Sequence, residues 1–221
     1  TSGMFAAAAI LAALHEREGS GKGQEIDISL LDTQVALLAN VASNYLVSGQ
    51  PPQRQGNAHP NIAPYEAFQA ADQGFVVGAA NQRQWEHLVE AVGQEALKTD
   101  PRFITNQDRV RNRQDLVEIL NGLFARKQAR EWLDQFQEAG LPCGPINSLP
   151  EVFQHPQVGA RDLVLEAEHA TAGKIPLTGF PYKFSRTPAG IQCPPPALGE
   201  HNLEILVKLL GYSEEQVAGL Q

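Results

Sequence analysis

The spacing of hydrophobic and polar positions changes several times along the chain, and each change predicts a different element. Residues 3–17 are rich in alanine and apolar on nearly every side, which predicts a buried helix. Residues 25–29 alternate polar and apolar side chains, as a half-buried strand does. Residues 30–45 repeat apolar positions at helical spacing, and Asp27 or Ser29 could cap that helix. The first fifty residues therefore predict helix, strand and helix, a pattern typical of α/β proteins.

The pattern breaks at residues 54–65, a segment too rich in proline, glycine and asparagine to be helical. On its own this segment is either a linker between lobes or one wall of a site. After it, residues 65–69 and 75–78 predict two strands of a hairpin, joined by a turn signal at residues 72–74.

Helical spacing returns after the hairpin. Asn81 is expected to cap a helix that ends at Gly93. The polar residues 100–113 are interpreted as a connection. The periodicity then predicts helices through residues 116–124, 129–138 and 150–155, an extended segment at 141–146, and a strand pair over 163–177 joined at 171–173.

The C-terminal part begins with a proline-rich stretch. Residues 181–196 contain five of the chain's 15 prolines, which predicts an extended crossing over another surface. Residues 202–210 predict a helix ended by Gly211, and Ser213 is expected to cap a last helix. We expect part of a large domain at residues 1–50, a linker at 51–64, a small α/β domain at 65–180, and a return to the large domain at 181–221.

Composition and charge exclude some classes of protein. The chain of 221 residues is 43% hydrophobic, which is enough to bury a core, and its formal net charge is −8. This acidity argues against nucleic acid as the main partner. No apolar run reaches the roughly 18 residues of a membrane span. The two cysteines, Cys143 and Cys193, form no ligand cluster, so neither a metal site nor a disulfide framework is expected. Unpaired cysteines suit a reducing compartment, which predicts a cytoplasmic protein.

A glycine-rich segment at residues 19–24 invites comparison with a phosphate-binding loop. Gly23 rather than Ser or Thr follows Lys22, and the predicted order is helix, loop, strand, whereas a phosphate loop follows a strand and precedes a helix. A plain connecting turn is therefore the favoured interpretation.

Gly78, Ala79, Ala80, Asn81 and Gln82 lie between a predicted strand and a predicted helix. Their small side chains would let a ligand approach the backbone, and free N–H groups there could stabilise a developing oxyanion. The alternative is an ordinary tight turn between strand and helix.

Three other residues were weighed as candidates for chemistry. Cys143 is interpreted as a structural cysteine, because no cationic cluster or helix N-terminus is evident near it. Glu200 and His201 precede the predicted helix at 202–210, where they could support a site or serve as capping or interface residues.

Several segments together resemble one family, the class III CoA-transferases of the formyl-CoA transferase and carnitine CoA-transferase type. The segments occur in the family's order across nearly the whole chain. They are residues 1–4 (Thr-Ser-Gly-Met), 21–31, 56–65, 81–85, 140–145 and 195–201.

This resemblance implies a fold and an activity. The implied fold is a Rossmann-like large domain built from both ends of the chain, with a smaller α/β domain between them, in an interlocked homodimer. The implied activity is transfer of CoA from an acyl-CoA to a small carboxylic acid through an aspartyl-CoA thioester. Coenzyme A, as acyl-CoA, is the implied ligand, and no metal is implied.

The resemblance also implies where the site residues lie. The family's nucleophilic aspartate stands just before the Thr-Ser-Gly-Met segment, upstream of Thr1, so we expect no catalytic residue in this chain. We expect the N-terminal half of the enzyme as a partner and no activity from this chain alone. The residues expected to bind substrate or form a lid are Asn57, His59, Tyr65, Gly78, Ala79, Ala80, Asn81 and Gln82. Two of the lid positions are alanine where the family has glycine, which puts the mobility of the lid in question.

Two alternatives to a transferase remain open from the sequence. One is an α-methylacyl-CoA racemase of the same superfamily, which moves a proton next to a thioester. The His59-to-Tyr65 segment resembles the transferases better. The other alternative is an inactive fragment or binding module.

Overall fold

The computed structural model describes residues 1–220, which form two compact units divided after Ile146. The first unit contains helices α1 (Ser2–Ser20), α2 (Leu30–Ala36), α3 (Ala39–Ser48), α4 (Gln82–Ala91), α5 (Asn106–Arg111), α6 (Arg113–Phe124) and α7 (Ala129–Glu138). It also contains strands β1 (Tyr65–Gln69), β2 (Gly74–Gly78) and β3 (Cys143–Pro145), and a 3₁₀ turn at Glu95–Lys98. The small α/β domain expected at residues 65–180 stays a prediction.

Helix α1 is present, but the expectation that it is buried is wrong. None of its residues is buried, and Met4 and Leu11 are among its most exposed apolar side chains. Its side-chain hydrogen bond to α2 joins Ser2 Oγ and Thr33 Oγ1 at 2.7 Å. An apolar helix is buried only when other elements cover it, and residues 1–220 do not cover this one.

The strand expected at residues 25–29 is absent from the structure, where this segment is irregular. Its side chains alternate between polar and apolar as in a strand, but no described strand lies beside it to complete a hydrogen-bonded ladder. The following helix is capped by Ser29, whose Oγ accepts from Asp32 N at 3.2 Å. The expected single helix is two, α2 and α3, because Ala39, the first residue of α3, adopts a left-handed φ of 45°.

The three strands of the first unit form an antiparallel sheet in the order β1-β2-β3. The predicted hairpin is confirmed, with Tyr65 opposite Gly78 and Gln69 opposite Gly74. The extended segment predicted at 141–146 supplies β3, in which Cys143 pairs with Val77.

An aromatic cluster fills the space between this sheet and helices α4, α6 and α7. Phe124 lies at its centre, with ring-centroid distances of 5.0 Å to Phe68, 5.1 Å to Phe75 and 5.4 Å to Trp132. The ring geometry at each contact is edge-on, the arrangement that aromatic quadrupoles favour. The other members of this core include Trp85, Leu88, Val89, Leu116, Leu120, Leu133 and Phe136.

Polar side chains fix where the helices around this core begin. Asn81 caps α4 as expected, since its Oδ1 accepts from Gln84 N at 2.9 Å. Asp72 in the hairpin turn accepts from Ala129 N at 2.8 Å, which caps α7 from a distant part of the chain. That bond, with a second from Gln73 N, lowers the pKa of Asp72.

The second unit contains α8 (Leu149–Gln154), α9 (Pro156–Ala160), α10 (Glu214–Ala218), and strands β4 (Val164–His169) and β5 (Gly173–Thr178). The predicted strand pair is confirmed as an antiparallel hairpin. Ser213 caps α10 as expected, with Oγ accepting from Gln216 N at 3.1 Å. The helix expected at 202–210 is largely a π-helix, Glu204–Leu209, and Gly211 follows it with φ 74°.

The central position of Phe124 leads to a stability prediction. Phe124→Ala removes a fully buried ring from the middle of the cluster and should lower the free energy of unfolding by about 3–5 kcal/mol. Urea unfolding followed by tryptophan fluorescence measures this change, because Trp85 and Trp132 both lie in this core.

The matched control is Phe153→Ala in α8, where the phenylalanine ring is exposed. We expect that change to stay within about 0.5 kcal/mol of the parent protein. Equal effects of the two substitutions would contradict the assignment of Phe124 to the centre of the core.

Candidate functional site

Residues 56–65, here called the turn segment, fold back on the start of β1. The His59 N–H donates to the Tyr65 carbonyl at 3.0 Å, and the two rings stack with centroids 5.5 Å apart and planes 6° from parallel. Asn57 Oδ1 accepts from Ala67 N at 2.9 Å. The Ala63–Pro64 peptide bond is cis. The structure therefore brings together Asn57, His59 and Tyr65, three of the residues expected in the site.

The hydrogen bonds of the His59 ring determine which nitrogen carries its proton. Nδ1 accepts from the backbone N–H of Asn61 at 3.1 Å. In the neutral imidazole Nε2 must then carry the hydrogen. His59 therefore offers a donor at Nε2, and the half-buried ring is held in place by the Tyr65 stack.

Arg113 donates hydrogen bonds to two backbone carbonyls of the turn segment. Its guanidinium donates to His59 O at 2.6 Å and Ile62 O at 2.9 Å, and to Glu66 Oε1 at 3.0 Å. The Arg113 and Glu66 side chains are only 16% and 12% exposed, so water screens this ion pair weakly. Planar guanidinium geometry suits such multiple bonding.

Arg109 donates a hydrogen bond to a third backbone carbonyl of the same segment. It is fully buried, and its Nε donates to Ala63 O at 2.9 Å. Its Nη1 donates to Phe103 O at 3.0 Å and to Gln82 Oε1 at 3.1 Å, and its guanidinium stacks 4.8 Å over the Trp85 ring. Burial lowers the pKa of Arg109 to about 10, so the group keeps its charge at neutral pH.

Asparagine amides complete the support of the turn segment. Asn106 Nδ2 donates to Asn61 O at 2.8 Å, and its Oδ1 accepts from Ala63 N at 3.2 Å. Asn44 of α3 and Asn61 exchange two amide hydrogen bonds of 3.2 and 3.3 Å. The turn segment is thus bonded through its backbone to Asn106 of α5 and through the Asn61 side chain to α3.

The second set of expected site residues, Gly78 to Gln82, forms a tight connection that we call the loop 78–82. The Gly78, Ala79 and Ala80 N–H groups donate to Pro142 O at 3.0 Å, Pro64 O at 2.9 Å and Gln84 Oε1 at 2.8 Å. These three N–H groups are therefore not free for an oxyanion, and of the two interpretations of this segment the ordinary tight turn between strand and helix is confirmed. They are used to hold the loop, and Asn81 Oδ1 is used to cap α4.

Gly78 is required by the ring that lies on it. A Cβ at this position would lie 2.9 Å from Tyr65 Cδ2 and 3.1 Å from Cγ, closer than real Cβ contacts. The antiparallel register places Tyr65 opposite Gly78, so the ring packs directly on the glycine backbone. Together with the Ala79–Pro64 hydrogen bond, this contact joins the turn segment and the loop 78–82 into one face.

A polar cleft of about 550 Å³ lies beside the turn segment. Its lining includes Arg54, Arg111, Arg113, Glu66 and Asp115. Its charges are largely paired, because Arg113 binds Glu66 and Asp115 binds Arg102 at 3.1 Å.

Other candidate residues make local contacts only. Glu200 Oε2 accepts from Ala197 N at 2.6 Å, and His201 Nδ1 lies 3.3 Å from Glu204 Oε2, both within the second unit. Burial raises the pKa of the Cys143 thiol, which does not favour a nucleophile. Within residues 1–220 no group of three or more His, Cys, Asp or Glu side chains could hold a metal ion. In the same range, every helix is too short or too polar to cross a bilayer.

Sequence reasoning missed Arg109, Arg113, Asn106 and Gln84, which hold the site together. Residues 100–113 were interpreted as a connection, yet they contain α5. The available signal was Thr105 followed by Asp108, which form a capping box in the structure. That box would have placed Arg109 in a helix, although not its distant partners.

A family model and two curated relatives match this chain. The model of CoA-transferase family III matches residues 1–202. A protein named acyl-CoA transferase from Fusarium pseudograminearum is 43% identical over 220 residues, covering 99% of this chain and 48% of that protein. A succinyl-CoA:glutarate CoA-transferase from Mus musculus is 41% identical over 219 residues, covering 99% and 50%. The chain spans about half the length of these curated relatives.

Solved structures resemble this one as well. A CAIB/BAIF family protein from Brucella suis superposes with a TM-score of 0.74 at 37% sequence identity. The match covers 94% of this chain and 54% of that one.

The contact between Tyr65 and Gly78 leads to a testable prediction. Gly78→Ala should lower the free energy of unfolding by about 1–3 kcal/mol, because the new methyl group overpacks against the Tyr65 ring. In a Tyr65→Ala background the same substitution should cost close to nothing. Chemical denaturation of the four proteins of this double-mutant cycle measures the coupling.

Gly122→Ala in α6 is the matched control, because no atom lies within 4 Å of a Cβ built there. In a helix interior this change should stabilise by about 0.5–1 kcal/mol. An equal cost of Gly78→Ala with and without the Tyr65 ring would show that the contact is not what requires glycine.

Proposed function

The chain belongs to CoA-transferase family III, and we propose that the protein transfers CoA from an acyl-CoA to a small carboxylic acid. The observation that carries this proposal is the family match over residues 1–202, which spans the turn segment and the loop 78–82. Both are parts of one rigid face, with His59 and Tyr65 as its aromatic pair.

This face is proposed as one wall of the acyl-CoA cleft. His59 presents a donor at Nε2, and the 43% exposed Tyr65, whose ring stacks on it, carries a hydroxyl group. Such donors suit a thioester carbonyl or a carboxylate oxygen, both of which only accept hydrogen bonds. In this proposal His59 positions substrate and is not the nucleophile.

The proposed chemistry follows the resemblance through an aspartate. Its carboxylate attacks the donor thioester carbonyl, the C–S bond breaks, and a mixed anhydride and CoA thiolate form. The thiolate attacks the aspartyl carbonyl, which gives an aspartyl-CoA thioester and frees the donor acid. The acceptor carboxylate attacks this thioester and releases the thiolate, which then attacks the acceptor acyl carbon and restores the aspartate. Covalent catalysis of this kind divides one difficult exchange into easier steps.

The proposal assigns the aspartate and most CoA contacts to an N-terminal half of the same enzyme, outside residues 1–221. The roughly twofold length of the relatives supports this assignment. Exposed apolar side chains on α1 to α3 support it too, because large apolar patches mark contact surfaces. The most exposed of these are Met4, Leu11, Leu30, Leu31, Leu46 and Val47. A Rossmann-like large domain, an interlocked homodimer and a cytoplasmic location belong to the same proposal.

The loop 78–82 is proposed to keep water away from the aspartyl-CoA thioester. Its occupied N–H groups favour a shielding role over oxyanion binding. Gly78 has no side chain and the buried Ala79 has only a methyl group, so the loop backbone and the turn segment pack closely.

The proposed activity leads to a testable prediction. The 221-residue chain alone should show no CoA transfer, whereas the chain together with its N-terminal half should transfer CoA. Succinyl-CoA with glutarate is the first pair to try, because those acids appear in the name of the Mus musculus relative. Chromatographic detection of the new acyl-CoA measures transfer.

Turnover by the isolated chain would refute the assignment of the nucleophile to another half. Running the reaction in D₂O without an acceptor acid tests the racemase alternative, which predicts deuterium next to the thioester. Deuterium uptake by the complete enzyme without any transfer would overturn the transferase proposal.

The proposed role of His59 leads to another prediction. In the complete enzyme His59→Ala should lower turnover but still allow the covalent CoA adduct, because the histidine only positions substrate. Mass spectrometry after incubation with acyl-CoA detects the adduct on an aspartate-containing peptide. His169→Ala in β4, where the ring is bonded only to Thr171 and Ala172 of its own hairpin, is the matched control and should leave turnover unchanged. Complete loss of the adduct in His59→Ala would contradict a positioning role.

A further inference from the structure

Arg109 carries a buried charge that forms no ion pair with a carboxylate among residues 1–220, although the charge of the neighbouring Asp108 acts on it through space. Its side chain is fully buried, and none of the ion pairs of the described residues includes it. All of its acceptors are neutral: three backbone carbonyls and one side-chain amide oxygen on Gln82. Burying a cation that has no directly bonded carboxylate costs free energy.

The hydrogen bonding around this charge is also incomplete. Arg109 Nη2 and Trp85 Nε1 are buried donors without a partner in the described part of the chain, and the two side chains stack on each other. Each unpaired buried donor loses its hydration without replacement. A long apolar residue would avoid the unpaired Nη2 donor, but it would leave the carbonyls of Ala63, Phe103 and Ile104 without the donor that they now have, so an arginine is present for the acceptors that it binds.

What the guanidinium does provide is a connection between the two halves of the candidate site. Nε binds Ala63 O in the turn segment, and Nη1 binds Gln82 Oε1 at the end of the loop 78–82. These donors are fixed in one plane, so the group sets the separation between the two segments. The Gln82 bond is the side-chain link from Arg109 to the loop, and Gln82 itself is exposed.

We propose that Arg109 is a positioning residue that, through Gln82, holds the loop 78–82 against the turn segment and so limits the access of water to the reacting thioester. This inference rests on the proposed transferase function for its chemical consequence. Its structural part, the tether itself, stands independently. Lysine cannot reproduce the two divergent donors, so Arg109→Lys is expected to lose the tether even though it keeps the charge.

The first test is hydrogen exchange at the Ala79 and Ala80 amides, which report on the loop directly. Gln82→Ala removes the tether from the surface side and leaves the core intact, so it remains informative if an Arg109 variant fails to fold. We expect Gln82→Ala and Arg109→Lys to speed this exchange about tenfold, the effect of losing one charged hydrogen bond. Gln82→Glu keeps an acceptor and should not speed it.

Arg102→Gln is the matched control. Arg102 also stacks on an aromatic ring, 4.8 Å over Phe103, and binds Asp100 and Asp115, but it has no bond to the loop. It should leave the exchange of both amides unchanged. Unchanged exchange in Gln82→Ala, or an equal increase in Arg102→Gln, would overturn the tether.

The second test measures the chemical consequence in the complete enzyme. With acyl-CoA and acceptor present, water attack on the thioester breaks its C–S bond and gives free acid and CoA, which are counted against the new acyl-CoA. Gln82→Ala should raise this ratio of hydrolysis to transfer about tenfold, whereas Arg102→Gln should leave it unchanged. Adding Arg109→Lys to Gln82→Ala should raise the ratio no further, because both changes remove the same tether. Transfer by the parent enzyme with an unchanged ratio in Gln82→Ala would overturn the positioning role. Absence of transfer by the parent enzyme would instead overturn the proposed function, and hydrogen exchange would still decide the tether.

Discussion

The candidate site depends on two arginines that bind the backbone carbonyls of an irregular segment. Residues 56–65 belong to no helix, and most of their carbonyls therefore lack the partners that secondary structure provides. Arg113 binds the carbonyls of His59 and Ile62, and Arg109 binds that of Ala63. Without these donors the segment would expose buried acceptors or lose its shape. The stacked rings of His59 and Tyr65 lie on the same backbone that these donors bind.

The aromatic core makes this arrangement possible. Arg109 lies on Trp85, and α6, which begins at Arg113, carries Phe124 into the centre of the core. Helices α5 and α6 are thereby fixed against the sheet, and both arginines are aimed at the turn segment. Packing contributes most of the stability, since neutral-to-charged hydrogen bonds add only a few kcal/mol each. The hydrogen bonds to the turn segment mainly determine which backbone conformation this segment adopts against the packed core.

Local signals in the sequence predicted local structure well, and distant partners account for what they did not predict. The hairpin, the Asn81 cap and the helix of residues 129–138 follow from neighbouring residues, and the structure contains all three. The burial of α1 and the strand at 25–29 depend on surfaces outside their own segments, and both expectations were wrong. The partners of Arg109 and Arg113 lie about fifty positions away, and one sequence carries no sign of such pairs. The family resemblance pointed to two segments that lie together in the structure, but not to the side chains that support them.

The bonding of the loop 78–82 changes how its small residues are understood. From the sequence, small residues between strand and helix suggested either mobility or free N–H groups for an anion. In the structure Gly78 is small because the Tyr65 ring lies on it, and its N–H is bound to Pro142 O. Ala79 is buried and bonded to Pro64 O. The bonded N–H groups of Gly78, Ala79 and Ala80 cannot stabilise new charge without first breaking a hydrogen bond. The loop 78–82 can exclude water without breaking these hydrogen bonds. Its close packing against the turn segment requires the small side chains of the loop.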